Sequence, residues 1–448
     1  CPTTGGRNET VGARSVIDWL GGRTAAHDEA GAPAVATWAT GKVGMIGVSY
    51  NGTLPNAVAT TGVEGLEAIV PIAAISNWYD YYRTDGAVVA PGGFQGEDAD
   101  VLAEYVYTRA DREICEPVIA ELAAAQDRVT GDYSRFWDER NYLNDVRGVR
   151  AAVLAVHGLN DWNVKVDQAA RWYDALKRVG VPHKIWLHQA AHADPYDLRR
   201  DEWLRTLNRW FTKYLYGIDN GVEREPKATL QRADQSWVDE PEWPAPGAED
   251  VTLHPLPGGH GHGGLRANGG AQGDPVVESL VDDATKTAEQ LVDLSTSDNR
   301  LSYVTTPVRV PLRLSGRASL DARIAFTRPA ANVTVLLVDR APDGAATIVT
   351  RGWTSSSWSC CPATTTTRCG RGPVRGGRWI SAARVSCCRL SAADPPSARR
   401  SVDSAGAPDR DAGAAKRRSI GAGPDTRRRK RAPGRSVIHT GRDCPQRS

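Results

Sequence analysis

Residues 39–59 read ATGKVGMIGVSYNGTLPNAVA, a short apolar run that meets a serine and then changes its periodicity. Val43, Met45 and Ile46 have the spacing of a buried strand, Gly47 ends it, and Ser49 stands at the turn. Gly52 then lets a helix carrying Leu54, Ala57 and Val58 pack back on the sheet. A serine on such a corner is pushed out of the strand ends, with helix N-terminal amides behind it to stabilise developing negative charge. The glycine pattern, Gly47-Val48-Ser49-Tyr50-Asn51-Gly52, departs by one place from G-x-S-x-G, so Asn51 stands where the second glycine is usual. Asn tolerates strained backbone better than most residues with a Cβ.

Outward from this corner, the spacing of Ala13, Val16, Ile17 and Leu20 predicts a helix over 9–20, and 21–33 reads as a surface loop. A second buried strand is expected at 68–72, so strand, helix and strand argue for a mainly parallel sheet. Helical periodicity over about 98–145 predicts a cap inserted between sheet strands. The sheet resumes at 152–156, followed by an amphipathic helix over 166–179, a short strand at 184–187, and a closing helix with the apolar set Trp203, Leu204, Leu207, Trp210, Phe211 and Leu215. The Pro- and Trp-rich stretch 226–247 marks a boundary. Short strands at 251–256, 291–295, 301–305, 308–314, 320–326 and 332–339 then suggest a β-sandwich. The organisation expected is a core over 1–225, a β-sandwich over 226–350 and a tail over 351–448.

At 448 residues, 41% hydrophobic and 24% charged, the chain has the composition of a globular protein with more than one domain. No run is long enough for a transmembrane span, and no signal-peptide pattern opens it, so compartment stays undecided between cytoplasm and export. The net charge of +2 conceals an asymmetry: 21 basic against 6 acidic residues from Arg351 onward, and 34 against 47 before it. The acidic balance of the foldable part gives no support to nucleic-acid binding. Only Cys1 and Cys115 precede the break, which suggests no disulfide framework. The abrupt loss of pattern after Trp353 points to a shifted reading frame rather than a functional tail.

Three chemical groups fall at ends of expected strands, in the order Ser49, Asp161, His192. Parallel strands end on one side of a sheet, so the three can converge. A serine hydroxyl needs a base, His192 is suited to that near neutrality, and Asp161 would hold the imidazole tautomer. The Tyr50 backbone N–H would give one oxyanion contact. His157 and His188 are rival bases, and Asp167, Asp194 and Asp197 rival acids. The Gly-His run at 258–264 reads as a solvent loop, and no closed zinc spacing or nucleotide fingerprint occurs, so no metal or cofactor is expected.

Several segments together resemble the Xaa-Pro dipeptidyl-peptidase family of serine peptidases: GKVGMIGVSYNGT at 41–53, ATTGVEGLEAIVP at 59–71, ISNWYDYYR at 75–83, PGGFQGED at 91–98, FWDERNYL at 136–143, HGLNDWNV at 157–164 and AHADP at 191–195. The resemblance implies an α/β-hydrolase core with a helical cap, followed by a jelly-roll-like β-sandwich domain. It places nucleophile, acid and base on Ser49, Asp161 and His192, and pocket residues on Tyr81, Glu97 and Asn163. Trp78 and Trp162 would add apolar lining for a proline ring. Family members vary the position of Asn51. Their second oxyanion donor, a tyrosine hydroxyl, belongs to a segment upstream of Cys1, as do the first strands of their core. The implied partners are proline-containing peptides with a free N-terminus, with no nucleic acid or membrane, and a homodimer is left open. The chain also resembles α-amino-acid ester hydrolases, cocaine esterase and glutaryl acylases, which share the triad and the jelly roll and form the alternative reading, with a non-catalytic binding protein as the third.

Overall fold

The computed structural model describes residues 1–83, 87, 98–267, 276–328 and 331–355, together with the backbone of three later strands. Helix α1 (Arg7–Leu20) leads to a two-residue pairing of β1 (Ala26–His27) with β2 (Pro33–Ala34). β3 (Val43–Val48), α2 (Tyr50–Thr60) and β4 (Leu66–Ile72) form the strand, helix and strand expected around Ser49. α3 (Trp78–Tyr82), α4 (Ala99–Val106), α5 (Glu116–Ala125) and α6 (Arg135–Asp138) make the helical excursion before β5 (Ala152–Gly158). α7 (Asp167–Val179), β6 (His183–His188), α8 (Arg200–Tyr216), β7 (Ala228–Gln231) and β8 (Trp237–Glu240) follow.

One sheet, ordered β3-β4-β5-β6-β7-β8, carries this part; it is parallel through β7, and β8 is antiparallel. Strand alternation sends Ile69 and Val153 to one face, against Ile17 of α1, Ala57 and Val58 of α2 and Trp172 and Leu176 of α7. Ala68, Val70, Leu154 and Val156 point to the other face, against Trp203 and Trp210 of α8. Both faces are covered, which is why β4 and β5 read as continuous apolar runs.

Several local expectations change. Ile46 is 47% exposed because β3 lies at a sheet edge, where only one side of the strand is paired among the described residues. Leu204 is exposed as well: it lies a hundred degrees round α8 from Trp203, off the face that meets the sheet. The expected boundary at 226 falls inside the core, since β7 and β8 extend its sheet. Cys1 and Cys115 form a disulfide, a pairing that their spacing of 114 residues does not suggest.

Beyond the core come β9 (Glu249–Asp250), β10 (Leu253–Leu256), β11 (Gly263–Ala267), α9 (Ala288–Val292), β12 (Tyr303–Val304), β13 (Arg313–Leu314), β14 (Ser319–Phe326), β15 (Asn332–Arg340) and β16 (Ala346–Ser355). The backbones of β18 (Arg378–Ser386) and β19 (Ser391–Ala393) pair with earlier strands in small sheets, and that of β17 (Gly372–Val374) pairs with β18. This is the β-rich domain expected, with two corrections: the strand read at 291–295 is instead the end of α9 and the turn after it, and strand structure continues past residue 350, where the tail was expected to begin, through β16 and the backbones of β17 to β19. That helix opens on a capping box in which Thr287 and Gln290 satisfy each other's backbone N–H. The remainder of 356–448 lies outside the described residues.

Candidate active site

The elbow is fixed from both sides. Val48 pairs with Ile72, and the Ser49 N–H donates to Ile72 O at 2.8 Å, so Ser49 stands at the carboxyl ends of the parallel strands. Its backbone has φ 61° and ψ −123°, a conformation that costs a residue with a Cβ about 1–3 kcal/mol. Gly47 and Gly52 make the corner tight: a Cβ on Gly52 would lie 2.6 Å from Gly47 O and 2.8 Å from Ile72 O, and one on Gly47 would strike Asn51 O. The strain therefore falls on Ser49 and not on Asn51, which is already helical. α2 begins at Tyr50, so the Tyr50 and Asn51 N–H groups sit in its first turn, where no intrahelical carbonyl reaches them. The Tyr50 side chain is engaged elsewhere. Its hydroxyl donates to Glu9 Oε2 at 2.6 Å and accepts from the Gly5 N–H at 3.3 Å, and burial pushes its pKa up, keeping it neutral.

Asp161 follows β5 and is buried. Its Oδ1 accepts the Asn163 N–H at 3.0 Å and the Val164 N–H at 2.9 Å, while Oδ2 lies 2.6 Å from His192 Nδ1. With a carboxylate on Nδ1 that nitrogen carries the proton, and Nε2 is left able to take one from a hydroxyl. The loop bearing His192 reaches Asp161 by crossing Gly158, where any Cβ would strike the Ala190 and Ala191 carbonyls. Two further bonds knit the loops together: Leu159 N–H to His188 O at 2.7 Å, and Asn160 Nδ2 to Gln189 O at 2.7 Å.

The rival residues are occupied differently. His157 is fully enclosed, its Nε2 is 2.6 Å from Val164 O and 3.6 Å from Asp161 Oδ2, and burial lowers its pKa. His188 is enclosed too, and burial pushes its pKa down to about 4. Asp194 caps the short helix at Pro195–Asp197 by accepting the Tyr196 N–H, and Asp167 pairs with Arg171 at 2.5 Å.

Of the five pocket candidates, Tyr81 and Asn163 are joined directly, the Tyr81 hydroxyl donating to Asn163 Oδ1 at 2.7 Å. Trp162, next to Asn163 in the chain, is half-buried. Trp78 requires correction as a lining residue: it is fully buried, its indole N–H donates to the Tyr142 hydroxyl at 2.9 Å, and it stacks on Tyr82. A five-residue helix does not announce which of its aromatics face the core. Trp78 instead connects the two halves of the site, with ring centroids 5.6 Å from Tyr50 and 5.8 Å from Tyr81. Glu97 lies outside the described residues. Among those residues no group of three or more His, Cys, Asp or Glu could hold a metal ion; His260 pairs with Asp298 and His262 with Ser302.

Sequence reasoning passed over Lys165, a cation inside the apolar run Val164 to Val166. Its Nζ donates to Tyr81 O at 3.3 Å, and burial outweighs the nearby Asp161 charge, lowering its pKa to about 8 from an ordinary 10.5. Between those two values the unfolded chain holds a proton that the folded chain has lost, so Lys165 makes stability rise with pH across that window. The amplitude is about 3 kcal/mol. Denaturant melts at pH 7.5 and 10 should show a smaller rise for K165M than for the parent, and equal slopes would refute the assignment.

The arrangement provides a strained serine, an imidazole tautomer fixed by a buried carboxylate, and helix N-terminal amides at one end of a sheet. The model of the "X-Pro dipeptidyl-peptidase (S15 family)" matches residues 1–194, and that of the "X-Pro dipeptidyl-peptidase C-terminal non-catalytic domain" matches 220–382. A Bacillus anthracis protein named "Putative Xaa-Pro dipeptidyl-peptidase" is 48% identical over 363 residues, covering 79% of this chain and 58% of its own length. The Xaa-Pro dipeptidyl-peptidase of Lacticaseibacillus paracasei is 36% identical over 381 residues, covering 78% of this chain and 46% of its own. The chain thus spans about half the length of the curated relatives it matches. A solved α-amino acid ester hydrolase, 17% identical, superposes with a TM-score of 0.53 over 88% of this chain and 75% of its own, a likeness of fold.

Proposed function

Because this chain belongs to the X-Pro dipeptidyl-peptidase (S15) family, we propose that it releases Xaa-Pro dipeptides from peptides with a free N-terminus through an acyl-enzyme on Ser49. The observation that carries this reading is the 2.6 Å contact of Asp161 with His192 at the end of the sheet where the elbow presents Ser49. Ser49 Oγ attacks the carbonyl carbon of the penultimate proline while His192 Nε2 takes its proton. Asp161 offsets the charge on the imidazolium, and the Tyr50 N–H donates to the oxyanion. His192 then protonates the departing amine, and water attacks the ester under the same base to free the dipeptide.

Glu97 is the proposed anchor of the substrate's α-ammonium group, since a cation entering a poorly solvated pocket needs a carboxylate partner. Asn163, held by Tyr81, presents its remaining amide donors to the substrate backbone, and Trp162 lines the proline side. H-Ala-Pro-anilide should be cleaved and its N-acetylated form should not, with E97Q raising KM for the first by roughly 10²-fold, the scale of a lost charged partner. Equal turnover of both anilides, or a preference for simple esters, would replace this assignment with an esterase or acylase.

A further inference from the structure

The acid loop, residues 161–165, is touched from outside the core by β16. Arg351 and Trp353 are two apart on that strand and so share a face. The Arg351 guanidinium carbon lies 4.5 Å over the Trp162 ring, and Lys165 Nζ lies 5.9 Å from the Trp353 ring and 5.1 Å from that of Tyr81. Loop and strand each offer the other a cation and an indole. Arg351 is further held by Glu289 at 2.8 Å, a residue in the first turn of α9.

We propose that this reciprocal pair of cation–π contacts between β16 and the acid loop positions Asp161 against His192, which makes Arg351 and Lys165 positioning residues for the reaction proposed above. Trp162 lies between Asp161 and Asn163, and the Asp161 carboxylate accepts the N–H groups of Asn163 and Val164. Carboxylate and loop backbone therefore move as one body, and a shift of Trp162 or Lys165 is felt at Oδ2. Small misplacements of such groups cost rate steeply. The strand lies in a region matched by a domain described as non-catalytic, and the clasp gives that domain a part in setting the acid. Another bridge to the core, Arg313 to Glu240 at 2.5 Å, ends on β8, three strands from β5 in the sheet, whereas Arg317 reaches both Asp174 at 3.3 Å and Asp167 at 3.5 Å, just past the acid loop. The Arg313 bridge offers a control for docking alone.

The test uses the full chain and two readouts: kcat and KM on H-Ala-Pro-anilide, and the rate at which a small serine-reactive phosphonate labels Ser49. R351M should lower kcat and the labelling rate together by roughly tenfold, with KM within about twofold and the unfolding midpoint close to the parent's. R351K should recover less than half of the loss, because an ammonium cannot lie flat on the indole as a guanidinium does. W162L added to R351M should cost little more in labelling than either alone. R313A should leave both rates near the parent's. Labelling of R351M within twofold of the parent, or an equal loss in R313A, overturns the proposal. If the parent cleaves no Xaa-Pro anilide but R351M still labels slowly, the substrate assignment fails and the positioning role stands. If the parent does not label at Ser49, both fail.

Discussion

Ser49→Ala should lower kcat on an Xaa-Pro anilide by about 10⁶-fold while leaving KM within a few-fold, the scale of loss when a serine nucleophile is removed from a working triad. The elbow adds a second arm to this expectation. Because Ser49 is held at φ 61°, Ser49→Gly should be equally inactive yet more stable, by roughly 1 kcal/mol, since glycine adopts that backbone without a Cβ penalty. Alanine keeps the penalty and should not stabilise. Active-site titration against peptide hydrolysis, paired with thermal melts, reads both arms. Residual turnover of either variant above about one part in a thousand would mean that another group attacks the substrate.

Asp98→Asn should be the most destabilising single change in the cap. Arg83 is completely enclosed, and the Asp98 carboxylate meets it at 2.6 and 2.8 Å while also taking Arg128 Nε at 2.9 Å. Burial raises the Asp98 pKa even against both guanidinium groups, a sign of how costly the site is for charge. Removing one partner leaves Arg83 charged in the interior, at a cost of about 3–5 kcal/mol. Converting both, as in R83M/D98L, should recover much of that loss, because the pair's own desolvation disappears with it. Urea midpoints measure the cycle. A loss for D98N below about 1 kcal/mol would show that water reaches Arg83. Asp98 directly follows Glu97, the proposed anchor of the substrate's ammonium group, and on that proposal D98N is also expected to raise KM for substrates with a free N-terminus.

The parts of the core legible in the sequence were those with continuous apolar runs. Strands β4 to β6 read clearly because both faces of the sheet are covered, and the glycine stops at Gly180 and Gly217 marked the ends of α7 and α8. β7 and β8 were hidden because four-residue strands in a Pro- and Trp-rich stretch carry too few positions to show a period. The signal for α9 was present in Thr287 and Gln290, but the apolar residues that follow drew a strand reading instead. At the candidate site, the ends of expected strands pointed to Asp161 and His192, which the structure brings to within 2.6 Å of each other. What the sequence withheld was contact between distant residues. Nothing local says that Trp78 would be enclosed under Tyr142, that Lys165 would lie beneath Tyr81, or that Arg351 would cover a face of Trp162.

The bond between Cys1 and Cys115 closes a covalent ring through α1, the elbow and the first cap helices. A protease that nicks the chain once within that ring releases no fragment, so gels run without a thiol would report an intact molecule. Purity judged that way conceals internal cleavage, and preparations meant for kinetics need to be compared with and without reductant.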